Sequence, residues 1–163
     1  MRRFVLLTFL PVVSFAADLV VPPLRTSTTE FNIQFGVADY REDYLGKTWF
    51  ARAGFDYRVK YPFLLGAGLY LSSSSDVWIT SNELRAKVRI PVVSTLKLDP
   101  YFGMQVGYAE NKVLNKKKYV GGGVVGLDVL YFLSGVHFGL SGAYSIYTDS
   151  RFDHIRVGFV VGF

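Results

Sequence analysis

The last segment of the chain, residues 153–163, alternates between apolar and other side chains up to the final residue. Its apolar face consists of Ile155, Val157, Phe159, Val161 and Phe163. The opposite face consists of His154, Arg156, Gly158, Val160 and Gly162, where only Val160 breaks the alternation. Successive side chains of a strand point to opposite faces. The pattern therefore predicts a strand with lipid on one side and a polar interior on the other.

The same period of two recurs in seven earlier segments. Their apolar faces run through residues 31–37, 49–61, 63–71, 84–90, 102–108, 125–131 and 136–146. Polar loops at 39–47, 72–76 and 110–118 follow the first, third and fifth strands, whereas tight turns follow the second, fourth and sixth; the loop at 148–152 is short. The predicted fold is all-β, an eight-stranded antiparallel up-and-down transmembrane β-barrel.

Aromatic side chains fall at both ends of the predicted strands. One end carries Trp49, Tyr108, Tyr119 and Tyr144, and the other carries Tyr61, Phe63, Tyr131 and Phe163. Two aromatic girdles are typical of a barrel that crosses a bilayer. The alternative is that Tyr and Phe occur there only because they favour strands.

The N-terminal segment predicts export. Residues 1–16 contain Arg2 and Arg3, an apolar run at 4–13 and a small-x-small cleavage site at 14–16, as in a secretory signal peptide. A membrane-anchoring helix would need ~20 apolar residues. We therefore predict a signal peptide (1–16), a periplasmic tail (17–29) and a barrel (30–163). The chain has no cysteine, which excludes a disulfide scaffold and any thiolate site.

The whole pattern resembles the small eight-stranded outer-membrane barrels, the OmpA/OmpX-like and opacity-type surface proteins. The terminal Phe163 resembles the signal that the barrel-assembly machinery reads. The resemblance implies a location in the bacterial outer membrane with a periplasmic N-terminus, contact with outer-membrane lipid, and no cofactor or catalytic residue. We expect a monomer.

The predicted inward face carries most of the charge. Its cations are Arg52, Arg58, Lys60, Arg85, Lys87, Arg89 and Arg156, and its anions are Asp56, Glu83 and Asp128. An eight-stranded barrel is just wide enough for its own side chains, and each buried charge needs a partner. We therefore predict an interior network of ion pairs. The excess of cations leaves a narrow anion-selective pore as an alternative, unless several of these side chains reach the barrel ends and water.

Basic residues also gather in the predicted loops. They are Lys47, Lys112, Lys116, Lys117, Lys118 and Arg151. The nearest anions outside such a membrane are the phosphates of lipopolysaccharide, which a basic rim would bind. The alternative is a solvated loop. Nucleic acid is excluded by the predicted compartment, despite the net charge of +5.

Catalysis is the remaining function class. The resembling family also contains a lipid A deacylase and a palmitoyltransferase, and a barrel lipase needs a nucleophile, an imidazole base and a carboxylate. His137 and Ser141 share a strand face but lie ~13 Å apart, and the deacylase's His-x-Ser-Asn signature is absent. Ser141 or Ser145 could approach His154 from the next strand. Both histidines are predicted to face inward, so we predict no enzyme, no cofactor and no metal site.

Overall fold

The computed structural model describes residues 29–42 and 45–163. The strands are β1 (Thr29–Tyr40), β2 (Lys47–Lys60), β3 (Phe63–Ser73), β4 (Val77–Val88, resumed as Ile90–Pro91), β5 (Leu96–Asn111), β6 (Lys116–Leu133), β7 (Val136–Tyr147) and β8 (His154–Gly162). A short 3₁₀ turn, Ser150–Phe152, precedes β8. The predicted signal peptide and residues 17–28 of the predicted tail lie outside the described residues, and Thr29 is the first residue of β1.

Each strand pairs antiparallel with the next, and β8 pairs with β1 to close the barrel. The seam is long, since it extends from the pair Asn32–Gly162 to the pair Tyr40–His154. The terminal residue continues it, because the Phe163 N–H donates to the Phe31 carbonyl at 3.0 Å and the Phe31 N–H donates back at 2.9 Å. The predicted fold class is therefore confirmed: the chain forms a closed eight-stranded antiparallel barrel.

The period of two decides which side chains face the lumen. In β1 the exposed and buried positions alternate almost perfectly, with Phe31, Ile33 and Phe35 exposed and Asn32 and Gln34 buried. Across the barrel wall the exposed large side chains are mostly apolar, and more than half of the charged residues of the strands are buried. This is the reverse of a soluble barrel, whose apolar side chains fill the interior.

We call the two ends of the barrel the loop end, with residues 41–42, 45–46, 74–76, 112–115 and 148–153, and the turn end, with residues 61–62, 92–95 and 134–135. The turn at 134–135 requires positive φ at both positions (48° and 91°), which Gly135 accepts readily. The predicted loop at 110–118 is wrong in extent. The ladder between β5 and β6 continues through Tyr108–Tyr119 and Glu110–Lys117, so Lys116, Lys117 and Lys118 belong to a strand.

No helix within the described residues is long and apolar enough to cross a membrane.

Candidate functional site: the charged lumen and the basic loop end

The centre of the lumen is organised around one carboxylate, Glu83 of β4. The Arg52 Nε donates to Glu83 Oε2 at 2.8 Å, and the Arg156 NH1 donates to Glu83 Oε1 at 2.8 Å. Arg85 donates to Oε2 as well. All four side chains are almost completely buried. Strands β2, β4 and β8 are thus joined across the interior by three guanidinium groups on a single anion.

A second group of charges adjoins the first on its turn-end side. The Lys87 Nζ donates to Asp56 Oδ2 at 2.9 Å and to Asp128 Oδ2 at 3.0 Å. Asp128 also accepts from the Ser141 hydroxyl at 2.6 Å. Asn32 joins the two groups, because its amide donates to Asp56 at 3.0 Å and its carbonyl accepts from Arg52 at 2.6 Å.

A third group lies near the turn end. Arg89 forms a bidentate pair with Asp99, with distances of 2.7 Å (NH2–Oδ2) and 3.0 Å (Nε–Oδ1). Its NH1 donates to Glu30 at 2.6 Å. Arg58, half-buried at the mouth, donates to the same Glu30 oxygen at 3.3 Å. Lys97 stands over the Phe132 ring, with its Nζ 3.7 Å from the ring centroid.

The structure therefore places nine of the ten predicted interior residues in the lumen, seven in the central hydrogen-bonded group and two, Arg58 and Arg89, in the separate turn-end group. Lys60 is the exception, because it lies exposed where β2 ends. Sequence reasoning missed Glu30, Lys97 and Asp99. The inward period that contains Tyr101 reaches Asp99 and Lys97 if it is followed back through Pro100, so the alternation could have indicated both residues.

These missed residues correct the predicted charge balance. The buried cations of the lumen are Arg52, Arg85, Lys87, Arg89, Lys97 and Arg156, and its buried anions are Glu30, Asp56, Glu83, Asp99 and Asp128. Asp153 is also buried, but it lies at the loop end, where it accepts from the Tyr147 backbone N–H. The predicted excess of four cations is therefore wrong for the buried lumen, where the excess is one.

An apolar and aromatic layer closes the lumen toward the loop end. It contains Ala38, Tyr40, Leu45, Phe50, Tyr70, Val77, Ile79, Ala109, Val120, Tyr147 and Phe152. His154 lies within this layer, where it shares a hydrogen bond with the Tyr70 hydroxyl (3.1 Å) and another with the Phe152 carbonyl (2.9 Å). A smaller cluster of Leu130, Phe132 and Val160 lies near the turn end. The charged groups are thus covered by an apolar layer toward the loop end, whereas Arg58 reaches the mouth at the turn end.

The arrangement around the histidines and serines does not form a catalytic triad. His154 is engaged by Tyr70 and the backbone, and Ser141 donates its hydroxyl to Asp128. His137 stacks on Phe132 with a centroid separation of 4.9 Å. Both histidines are buried in the lumen, away from the face that would meet a lipid substrate. Among the described residues no group of His, Cys, Asp and Glu could hold a metal ion.

At the loop end the predicted basic residues form local pairs. Lys118 and Arg151 both contact Asp149, with the Arg151 NH2–Oδ2 distance at 2.7 Å. Lys117 pairs with Glu110 at 3.3 Å, and Lys112 donates to the Ser74 carbonyl at 2.8 Å. The hydrogen bonds from Arg151 and the nearby Lys118 hold the pKa of Asp149 well below its usual range.

Two lysines of this set stand directly above aromatic side chains on the outward face. Lys47 lies two residues from Trp49 in β2, and Lys117 lies two residues from Tyr119 in β6. Trp49 and Tyr119 are 74% and 85% exposed. Side chains two positions apart share a face and are separated by about 7 Å along the strand. Each lysine therefore lies about 7 Å nearer the loop end than its aromatic neighbour on the same face.

No protein-family model matches the chain, and no curated protein matches it. Solved structures do resemble it. Neisserial surface protein A matches with a TM-score of 0.60 and 12% identity over 82% of this chain and 93% of that chain. The N-terminal β-barrel domain of Pseudomonas aeruginosa OprF matches with a TM-score of 0.59 and 14% identity over 82% and 96%. Ail, the attachment invasion locus protein of Yersinia pestis, matches with a TM-score of 0.58 and 10% identity over 82% and 95%. The predicted resemblance to small eight-stranded outer-membrane barrels is confirmed at the level of the fold.

Proposed function

We propose that the chain is a non-catalytic barrel of the bacterial outer membrane that stabilises the membrane and contacts lipopolysaccharide at its loop end. The observation that carries the proposal is the inverted distribution of side chains. Phe102, Leu84 and Val106, near the middle of the wall, are exposed at 68%, 61% and 62%, while most of the charged residues of the strands are buried. Only a lipid environment makes that outward face favourable.

The orientation follows from the two barrel ends. The N-terminal strand begins at the turn end, and small outer-membrane barrels keep their short turns in the periplasm and their longer loops outside. We therefore assign the loop end to the cell exterior and the N-terminus to the periplasm. In this orientation Phe163 lies on the periplasmic side, where it would be available to the barrel-assembly machinery.

Contact with lipopolysaccharide is proposed for Lys47 and Lys117, with Lys112, Lys116, Lys118 and Arg151 completing a basic rim. Phosphate groups of an outer-leaflet lipid lie just beyond the interfacial aromatic rings, at the height of these two lysines. Each cation near such a surface contributes about 1 kcal/mol. Glu110 and Asp149 neutralise part of the rim, so we assign it a lipid-contacting role and not a tight ligand site.

Lipopolysaccharide binding to the refolded full chain in detergent tests this assignment. Replacing both lysines, Lys47→Gln with Lys117→Gln, should weaken binding about 30-fold, which corresponds to about 2 kcal/mol. Lys60→Gln is the matched control, since Lys60 is an exposed lysine at the opposite end. Unchanged binding in the double variant, or an equal loss in the control, would remove the lipid-phosphate assignment.

The enclosed lumen does not favour the alternative of an anion pore, because the loop-end layer of Tyr40, Phe50 and Tyr70 blocks the axis. A planar bilayer carrying the refolded protein should be electrically silent. The lipid A enzyme is disfavoured by the engagement of both histidines, and deleting the gene should leave the lipid A profile unchanged.

A further inference from the structure

We propose that the lumen contains a binding site for one small monovalent anion of halide size, formed by Arg85 with Arg52 and Arg156. The site is distinct from the proposed lipid contact and from a conducting pore. It follows from the charge balance of the central lumen and from guanidinium N–H groups that no group of the described residues satisfies.

The central charges do not cancel. The groups that face one another there are the cations Arg52, Arg85, Lys87 and Arg156 and the anions Asp56, Glu83 and Asp128. The turn-end groups cancel separately, because Arg89 and Lys97 face Glu30 and Asp99, and the half-buried Arg58 reaches the mouth. One positive charge therefore remains uncompensated in the central lumen. Burying a net charge away from water is costly.

The same cations also carry the unsatisfied donors. Within the described part of the chain, the Arg85 Nε and NH1, the Arg52 NH2 and the Arg156 NH2 are buried without a hydrogen-bond partner. Arg85 is the least satisfied of the three, since its guanidinium makes only one hydrogen bond, to Glu83. Buried donors of this kind are expected to be bonded to something.

The surroundings hold these groups in place. The Arg85 guanidinium carbon lies 4.4 Å above the Tyr101 ring, and that of Arg156 lies 4.6 Å above the Tyr70 ring. Further donors lie beside them, because the Tyr101 hydroxyl and the Gln34 amide nitrogen are buried without a partner among the described residues, and Gln34 is the cross-strand neighbour of Arg52. Arginine N–H groups together with hydroxyl and amide donors suit a small anion.

An anion explains these features better than water alone. Buried water can satisfy unpaired N–H groups, but it does not neutralise the excess charge. A single monovalent anion does both. The central lumen lies between the loop-end apolar layer and the turn-end ion pairs of Arg89 with Glu30 and Asp99. We therefore expect the anion to be incorporated when the barrel folds and to exchange slowly afterwards.

Diffraction from the full chain refolded and crystallised in sodium bromide tests the proposal. Data collected at the bromine absorption edge should show one anomalous peak in the lumen, within hydrogen-bonding distance of the Arg85 guanidinium. Arg85→Met, which removes both the donors and the excess charge with little change in volume, should abolish the peak. Arg58→Gln, the control at the mouth, should retain it.

The proposal would be overturned if the lumen of the wild-type chain showed no anomalous peak. It would also be overturned if the crystal structure showed the Arg85 guanidinium paired directly with the Asp56 carboxylate. A peak that persists in Arg85→Met would mean an adventitious ion only. If Arg85→Met fails to fold, a stability measurement on the wild-type chain still tests the proposal. Its stability after refolding in sodium bromide should exceed that after refolding in sodium gluconate at equal ionic strength, and no difference would overturn the proposal.

Discussion

The Glu83 carboxylate should be among the most sensitive positions in the barrel. Glu83→Gln keeps the shape of the side chain but leaves three buried guanidinium groups, those of Arg52, Arg85 and Arg156, without their shared anion. Removing one partner of a buried ion pair typically costs about 3–5 kcal/mol. Because Glu83 serves three cations at once, we expect a loss of at least about 3 kcal/mol, or more than 100-fold in the folding equilibrium.

Equilibrium unfolding by urea in lipid vesicles measures this loss. The fluorescence of Trp49 and Trp78, the only two tryptophans, reports the transition at the loop end. Glu110→Gln is the matched control, because it removes the same charge from the exposed pair with Lys117 and should cost no more than about 1 kcal/mol. A Glu83→Gln variant that unfolds within about 1 kcal/mol of the wild-type chain would refute the account of the lumen as a connected ion-pair network.

Three further positions test the barrel wall and the loop end. Leu84→Arg should cost about 2–4 kcal/mol in a bilayer, because Leu84 lies on the outward face; equal stability in the urea titration would contradict a lipid-facing wall. Gly36→Ala should cost about 1–3 kcal/mol of stability, since a Cβ there would lie 2.2 Å from a carbonyl oxygen of β8. Gly142→Ala is the control, because a Cβ there would meet open space and the substitution should be nearly neutral. A larger loss of stability in Gly142→Ala than in Gly36→Ala would refute the strand register. The Asp149 carboxyl should titrate below the usual aspartate pKa of about 3.9, because Arg151 lowers its pKa. The contribution of the Asp149 carboxylate to folding stability is therefore complete above that pH and is lost as the pH falls further. An NMR titration midpoint at the usual aspartate value would contradict the Asp149–Arg151 pair.

The strand faces could be predicted from the sequence because a thin wall between lipid and a filled lumen constrains every position. The period of two alone predicts that Arg52, Glu83 and Arg156 face inward, and the structure places them there. No such constraint applies beyond the membrane. The basic run that contains Lys116 predicts a loop, yet backbone pairing of Lys116 with Asn111 extends the strand regardless of side-chain chemistry.

The details of the charge network could not be predicted in the same way. Which carboxylate meets which guanidinium depends on the stagger of the strands around the barrel, which the alternation of a single strand does not contain. The shared role of Glu83 between β2 and β8 is an example, since Arg52 and Arg156 lie far from it in sequence. Asp99 lies two residues before Tyr101 on the same inward period, but Pro100 stands between them, and proline is uncommon inside a strand.

The central claim, a barrel that spans the outer membrane with its loop end outside, is tested most directly by labelling single cysteines on intact cells. The chain has no cysteine of its own, so Ser75→Cys at the loop end and Ser94→Cys at the turn end each introduce one exposed thiol. A membrane-impermeant maleimide should label Ser75→Cys on intact cells and Ser94→Cys only after the outer membrane is permeabilised. Labelling of Ser94→Cys alone on intact cells, or equal labelling of both, would contradict the proposed membrane orientation.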